Sequence, residues 1–131
     1  MPTLPGWTLP DRGALFVVTG PSGVGKSTLI RHLLERVPGI TFSVSATTRA
    51  PRVGEAHGQD YLFVSDEDFE RMAEGGELLE HARVYDRRYG TPRAPVIQAL
   101  ESGRSILLDI DVRGARQVRV AMPEAVTIYV L

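Results

Sequence analysis

Apolar residues form continuous runs at several places along the chain. The segments 14–19, 105–110 and 125–131 are apolar along nearly their whole length, which is typical of strands buried on both faces. A shorter segment, 42–45, alternates apolar and polar residues and predicts a further strand. Runs of this kind predict a parallel sheet whose two faces are both covered.

Between these runs, apolar residues recur at helical spacing. The pattern predicts a helix over 29–37, which a Pro-Gly pair closes, and another that opens at Thr91-Pro92 and ends at Gly103. A third helix is predicted over 114–122. Because strands and helices alternate, we expect an α/β fold with helices on both faces of the sheet.

The middle of the chain has a different pattern. Residues 47–60 are rich in Arg, Gly and Pro and predict a loop, and 61–64 predict a strand. A capping-box start at Ser65 predicts a short helix, and strands are predicted over 78–83 and around Tyr89. We expect a small antiparallel part between Tyr61 and Thr91 to form an insertion at the edge of the parallel sheet.

Composition narrows the class of protein. The 131 residues are 43% hydrophobic with a formal net charge of −1, which excludes compositional disorder and argues against a surface for duplex nucleic acid. The chain has no cysteine, so disulfides and thiolate zinc sites are excluded, and the scattered His32, His57 and His81 do not suggest a metal site. With no membrane-length apolar run and no secretion signal, we expect a cytoplasmic domain without a membrane partner.

A phosphate-binding motif occupies residues 20–27. The residues match G-x-x-x-x-G-K-[ST] after a predicted strand and before a predicted helix, the context that such a loop requires. Its backbone N–H groups would surround phosphate oxygens, Lys26 would reach the β- and γ-phosphates, and Ser27 would be a ligand of Mg²⁺. Asp109, which ends an apolar strand, fits the second ligand of that metal. The alternative is a Gly-rich turn between a strand and a helix.

Two arginines follow in a proline-containing loop. Arg49 and Arg52 lie three residues apart and can converge on one anionic group, since the planar guanidinium binds phosphate oxygens in a bidentate manner. On this segment alone, ordinary surface arginines explain the pattern equally well.

Taken together, these motifs resemble those of guanylate kinases from about residue 15 to residue 131. The resemblance is carried by G-P-S-G-V-G-K-S-T at 20–28, S-A-T-T-R-A-P-R-V-G-E at 45–55, G-Q-D-Y-L-F at 58–63, Glu80, Y-G-T at 89–91 and L-D-I-D-V-R-G at 108–114. It implies a three-layer α/β/α P-loop kinase with a small mixed insertion. It also implies transfer of the γ-phosphate of ATP, as its Mg²⁺ complex, to GMP or dGMP in nucleotide salvage.

The resemblance also implies the site residues. ATP would be bound by Gly20, Pro21, Ser22, Gly23, Val24, Gly25, Lys26, Ser27 and Thr28, with Mg²⁺ held by Ser27 and Asp109. GMP would be bound by Ser45, Arg49, Arg52, Tyr61, Glu80, Tyr89, Gly90, Thr91 and Asp111. By the same resemblance, the catalytic residues would be Lys26, Arg49 and Arg52.

Within that set, the arginines and tyrosines would hold the GMP phosphate, whereas Ser45 and Glu80 would read the base. Guanine presents N1–H and N2–H₂ as adjacent donors that a carboxylate can accept, and adenine does not. Thr91 would support the base, and Asp111 would lie beside the acceptor and the metal. Without the resemblance, Glu80 would be interpreted as a partly exposed carboxylate of a strand.

The same resemblance divides the chain. Residues 1–12 would be an irregular extension, 13–44 and 92–131 the P-loop core, and 45–91 the GMP-binding subdomain. Guanylate kinases continue beyond the last strand with an arginine-bearing lid, an adenine-contacting segment and a closing helix. We therefore expect residues 1–131 alone to turn over at least about a thousandfold more slowly than a longer version, and to aggregate through an exposed sheet face.

Two other functions remain open at this point. A non-catalytic guanylate-kinase-like module would bind phosphopeptides in place of GMP, but it would have no use for the complete motif at 20–27. A related kinase of ribose phosphates would not need the base-reading pair Ser45 and Glu80.

Overall fold

The apolar runs and helical segments of the sequence form eight strands and four helices in the computed structural model, which describes residues 13–21 and 25–131. The proposed extension 1–12 and the loop residues Ser22, Gly23 and Val24 lie outside the described residues. In chain order the elements are β1 (Leu15–Thr19), α1 (Lys26–Arg36), β2 (Ile40–Phe42), β3 (Ala46–Thr47), β4 (Leu62–Phe63), α2 (Asp66–Glu74), β5 (Leu78–Val84), β6 (Arg87–Pro92), α3 (Arg93–Glu101), β7 (Ser105–Asp109), α4 (Val112–Ala121) and β8 (Val126–Tyr129).

Four of the strands form the parallel sheet that the sequence predicts. Their order is β2-β7-β1-β8, and every pairing is parallel, with Val17 opposite Leu108 on one side and Thr127 on the other. One face packs against α3 and α4 through a cluster that includes Val17, Leu108 and Val118. The other face packs against α1, where Ile30 meets Leu107. The three-layer α/β/α prediction is confirmed.

A second sheet has the order β4-β3-β6-β5. The helix α2 packs on it through Phe69, which is fully buried, and begins where the sequence predicts, because the Ser65 hydroxyl accepts a hydrogen bond from Asp68 N at 3.0 Å. The antiparallel part predicted between Tyr61 and Thr91 is present as the pair β5 and β6, and the parallel pair β3 and β4 makes the insertion mixed, as the resemblance implies.

The predicted bounds of the strand 42–45 are wrong, because only Phe42 of that stretch lies in a strand, β2. The chain leaves the parallel sheet after Phe42, where Ser43 N donates to Leu107 O at 3.0 Å, and enters the second sheet at Ala46. Most of the alternating stretch 42–45 therefore connects the two sheets. The predicted loop consequently begins one residue later, after Thr47.

The starts of two later helices differ from the predicted ones. Thr91 and Pro92 end β6 instead of opening the helix, which begins at Arg93 with Pro92 as its N-cap. The helix α4 begins at Val112, two residues earlier than predicted. The strand β8 lies at one edge of the described parallel sheet with Tyr129 52% exposed, which agrees with the expected exposed sheet face.

Two valines on α4 allow a matched test of the core. Val118 is fully buried in the cluster beneath the sheet, whereas Val120 is 84% exposed on the same helix. We expect Val118→Ala to lower the free energy of unfolding by about 2–3 kcal/mol, because it removes two buried methyl groups and leaves a cavity. Val120→Ala should change it by no more than about 0.5 kcal/mol. Urea unfolding of both variants measures the difference, and equal losses would contradict the assigned packing.

Candidate active site

The carboxyl ends of the parallel strands and one face of the second sheet enclose a cavity of about 490 Å³. Asp109, Ile110 and Asp111 reach it from the end of β7, because carboxyl ends of parallel strands share one sheet edge. Glu80, Ala82 and Val84 enter it from alternate positions of β5. The remaining lining residues are Lys26, Ser45, Tyr61 and Tyr89.

Most of these lining residues are ones that the sequence predicts for a site, namely Lys26, Ser45, Tyr61, Glu80, Tyr89, Asp109 and Asp111. Sequence reasoning missed Ala82, Val84 and Ile110, which add apolar surface to the cavity. Strand alternation starting from Glu80 could have found the first two. Ile110, between two acidic residues, carries no comparable signal.

Lys26 is the only lysine of the chain, and it forms an ion pair inside the cavity. Its Nζ lies 2.9 Å from Asp109 Oδ1, with the two side chains 16% and 33% exposed, and 3.5 Å from Gly20 O. The structure thus pairs Lys26, the proposed phosphate-binding cation, with Asp109, the proposed metal ligand.

The backbone around Lys26 depends on two glycines. Gly25 is the N-cap of α1 with φ 83°, so no side chain covers the helix N-terminus at this position. Gly20 has φ 140°, and a Cβ there would collide with Val130 O. Pro21, Ser27 and Thr28 are exposed and do not line the cavity.

The two candidate arginines lie outside that cavity. Arg49 and Arg52 line an adjoining cavity of about 470 Å³, which shares Val84 and Tyr89 with the first. Arg49 is 9% exposed, whereas Arg52 is exposed. Tyr89 therefore lines both the cavity with the two arginines and the cavity with the carboxylates.

Glu55 holds Arg49 in place, and sequence reasoning assigned Glu55 no role. Its two carboxylate oxygens each accept a hydrogen bond from the Arg49 guanidinium at 2.9 Å, and Oε1 also accepts from Arg52 N at 2.7 Å. The hydrogen bond with Arg49 lowers the pKa of Glu55 to about 2. The guanidinium also lies 5.1 Å from the ring centre of Tyr61. Both contacts orient Arg49 without any ligand.

Glu80 is buried, which corrects the interpretation of it as a partly exposed carboxylate. It is 5% exposed, and Thr91 Oγ1 donates to its Oε1 at 2.8 Å. Burial raises the pKa of Glu80 to about 7; the bond from Thr91 opposes the shift, and the nearby Asp111 adds to it. Thr91 is itself fully buried behind the cavity wall, and Gly90 beside it is buried too.

Asp111 faces the cavity while it caps a helix. Its Oδ1 accepts from Gly114 N at 2.8 Å and its Oδ2 from Arg113 at 3.1 Å. This cap explains why α4 begins before the predicted residue. In the described part of the chain, no three His, Asp or Glu side chains form a metal-binding group. No helix there is long and apolar enough to cross a membrane.

The burial of Glu80 predicts a pH-dependent stability. Because its folded-state pKa of about 7 exceeds the ordinary 4.5, the stabilising effect of its proton is complete below pH 4.5 and is lost as the pH rises through 7. Glu80→Gln, which cannot ionise, should therefore be more stable than the parent chain at pH 8, by up to about 3 kcal/mol, and equal to it near pH 5.

Urea unfolding between pH 5 and pH 8 measures this difference. Glu77→Gln, at an exposed position three residues away, serves as the control and should alter stability little at either pH. A Glu80→Gln effect that stays constant across the range would contradict the assigned burial.

Comparison with known proteins identifies the family of the chain. A family model described as "Guanylate kinase" matches residues 12–131. The chain is 54% identical over 122 residues to a guanylate kinase of Chromohalobacter salexigens, covering 93% of this chain and 57% of that protein. It is 51% identical over 122 residues to one of Trichormus variabilis, covering 93% of this chain and 61% of that one.

A solved structure shares the fold. The crystal structure of guanylate kinase from Anaplasma phagocytophilum matches with a TM-score of 0.76 and 40% identity, over 92% of this chain and 61% of that one. The chain thus spans about three fifths of the length of these relatives. Over residues 12–131 it belongs to the guanylate kinase family.

Proposed function

We propose that this chain binds ATP and GMP, or dGMP, and transfers the γ-phosphoryl group of ATP to the nucleoside monophosphate. An oxygen of the acceptor phosphate attacks Pγ, the bond from Pγ to the bridging oxygen of ADP breaks, and the products are ADP and GDP. The observation that carries the proposal is the cavity in which Lys26 and Asp109 face a buried carboxylate, Glu80.

The proposal divides the chain by substrate. ATP binds to residues 13–44 and 92–131, and the acceptor binds to residues 45–91. The reaction takes place in the cytoplasm. Support comes from the two sheets, since the cavity lies between the parallel sheet and the second one, whose strands run from Ala46 to Pro92.

On the acceptor side, Arg49, Arg52, Tyr61 and Tyr89 bind the GMP phosphate. The contact of Glu55 with Arg49 supports this role, because a guanidinium already fixed in orientation loses little side-chain entropy when it binds an anion. The edge-on contact between the rings of Tyr61 and Tyr89, at 6.1 Å, keeps both tyrosines beside that guanidinium.

For the base, Glu80 accepts the N1–H and N2–H₂ donors of guanine, and Ser45 contacts O6. A buried carboxylate with one hydroxyl partner has lone pairs left for such donors. Adenine would leave those lone pairs unsatisfied, and unpaired buried polar groups discriminate strongly between ligands. Thr91 and Gly90 act behind the cavity wall, with Thr91 fixing one oxygen of Glu80.

On the donor side, residues 20–28 bind the ATP phosphates and Lys26 balances their charge. Lys26 must leave Asp109 to do so, which frees that carboxylate. The hydroxyl of Ser27 and the carboxylate of Asp109 are hard oxygen donors that suit Mg²⁺, and Asp111 lines the same cavity as Asp109. When bound, Mg²⁺ neutralises charge on the phosphate oxygens.

Replacement of Lys26 tests this division of labour. Lys26→Ala should abolish phosphoryl transfer, because it removes a charge that stabilises the transition state, while GMP affinity stays within about twofold. Calorimetric titration with GMP and with ATP, alongside a coupled assay of ADP release, measures both effects. If GMP affinity fell as far as turnover, the division would be rejected.

The single lysine offers an independent readout. An amine-reactive label on the parent chain should modify Lys26 in addition to the N-terminal amine. ATP should protect the side chain, and GMP should not. Protection by GMP alone would contradict the assignment of Lys26 to the donor phosphates.

GMP affinity should depend on pH through Glu80. Since the carboxylate must be ionised to accept both guanine donors, affinity should rise as the pH increases through about 7. Glu80→Gln should weaken GMP binding by about 1–3 kcal/mol above pH 7 and should lack this rise. Titrations at pH 6, 7 and 8 compare the two chains, and parallel profiles would place Glu80 outside base recognition.

A further inference from the structure

A glycine within α4 lies against the carboxylate of Glu80. A Cβ at Gly114 would sit 2.7 Å from Glu80 Oε2, 3.1 Å from its Cδ and 3.3 Å from Ile110 Cβ. Heavy atoms separated by only 2.7 Å overlap, so no larger residue fits at this position unless a neighbour moves.

Backbone conformation does not explain this glycine. Gly114 lies in the first turn of a regular helix and is not among the residues with positive φ. Glycine is a poor helix former, and alanine would be preferred at such a position on helix propensity alone. The space occupied by the Glu80 carboxylate, the group nearest to such a Cβ, gives a reason for a residue without a side chain.

Other contacts fix the helix that carries Gly114. The Gln117 side chain accepts from His81 N at 3.0 Å and donates to His81 O at 2.9 Å, which joins α4 to β5 next to Glu80. The Asp111 carboxylate caps the same helix at Gly114 N. These hydrogen bonds hold the helix at Gly114 and at Gln117. An added methyl group at position 114 would therefore displace the flexible Glu80 side chain before it displaced the helix.

We infer that Gly114 is a positioning residue for base recognition: its missing side chain sets the depth of the Glu80 carboxylate in the cavity and so determines the preference for guanine. The inference rests on the proposed function. A methyl group at position 114 would push Oε2 away and strain the bond between Oε1 and Thr91. The three atoms nearest to such a methyl group belong to Glu80 and Ile110, so we expect the ligands of Lys26 and of the phosphate-binding arginines to be unaffected.

The experiment compares binding of GMP and IMP, whose base lacks the 2-amino donor of guanine. In the parent chain GMP should bind more tightly than IMP. In Gly114→Ala this preference should fall roughly tenfold or more, while ATP affinity stays within about twofold. Ala115→Val, which enlarges the next residue inside the apolar cluster, is the matched control and should keep the preference.

A double-mutant cycle in thermal unfolding tests the contact itself. Gly114→Ala should lower Tm in the parent chain but leave it unchanged or raised in a Glu80→Asp background, because the shorter carboxylate no longer reaches position 114. This cycle also decides the matter if Gly114→Ala is too unstable to titrate.

Three results would overturn the inference: an unchanged GMP-to-IMP preference in Gly114→Ala, an equal loss of preference in Ala115→Val, or the same Tm change in both backgrounds. A parent chain that binds neither GMP nor IMP would instead refute the proposed function.

Discussion

One carboxylate is buried where two sheets meet, and the site is arranged around it. Removing a charged group from water is costly unless partners replace the lost hydration. Glu80 receives one hydroxyl, from Thr91, and its other oxygen faces a glycine that has no side chain. The cost appears as a raised pKa for Glu80, whose side chain lines the cavity. A ligand with two adjacent N–H donors would complete the missing contacts.

Two cations of the site, Arg49 and Lys26, have ion-pair partners of different kinds. Arg49 is held by Glu55 through two parallel hydrogen bonds, and this pair can persist when an anion binds on the other side of the guanidinium. Lys26 is held by Asp109, a residue that the proposed function assigns to the metal, so that pair must open when ATP binds. Under the proposed function, the acceptor side would be organised before its ligand binds, whereas the donor side would rearrange with its ligand.

Local patterns predicted most of the fold. The strand before the motif at 20–27, the helix that begins at Lys26, the cap at Ser65 and the carboxylate that ends β7 depend on neighbours in sequence. Each of them is found in the structure. The convergence of Asp109 and Asp111 on one cavity follows from the rule that parallel strands end at the same edge.

The features that sequence reasoning missed depend on distant residues. The strand around Phe42 ends where Ser43 pairs with Leu107, 64 positions along the chain, and no local pattern marks that point. Gly114 and Glu80 are likewise far apart in sequence, so a glycine inside a helical segment gave no sign of the carboxylate against it. Burial of Glu80 itself follows from this long-range packing.

The most direct measurement is a titration of the Glu80 carboxyl carbon by ¹³C NMR, with Glu80→Gln used to assign its signal. Without nucleotide, we expect a pKa near 7, because burial disfavours the charged form. With saturating GMP, the pKa should fall below that value, because the guanine donors stabilise the carboxylate. An ordinary pKa in the free chain, or a pKa that GMP leaves unchanged, would contradict the assignment of Glu80 as the buried reader of the base.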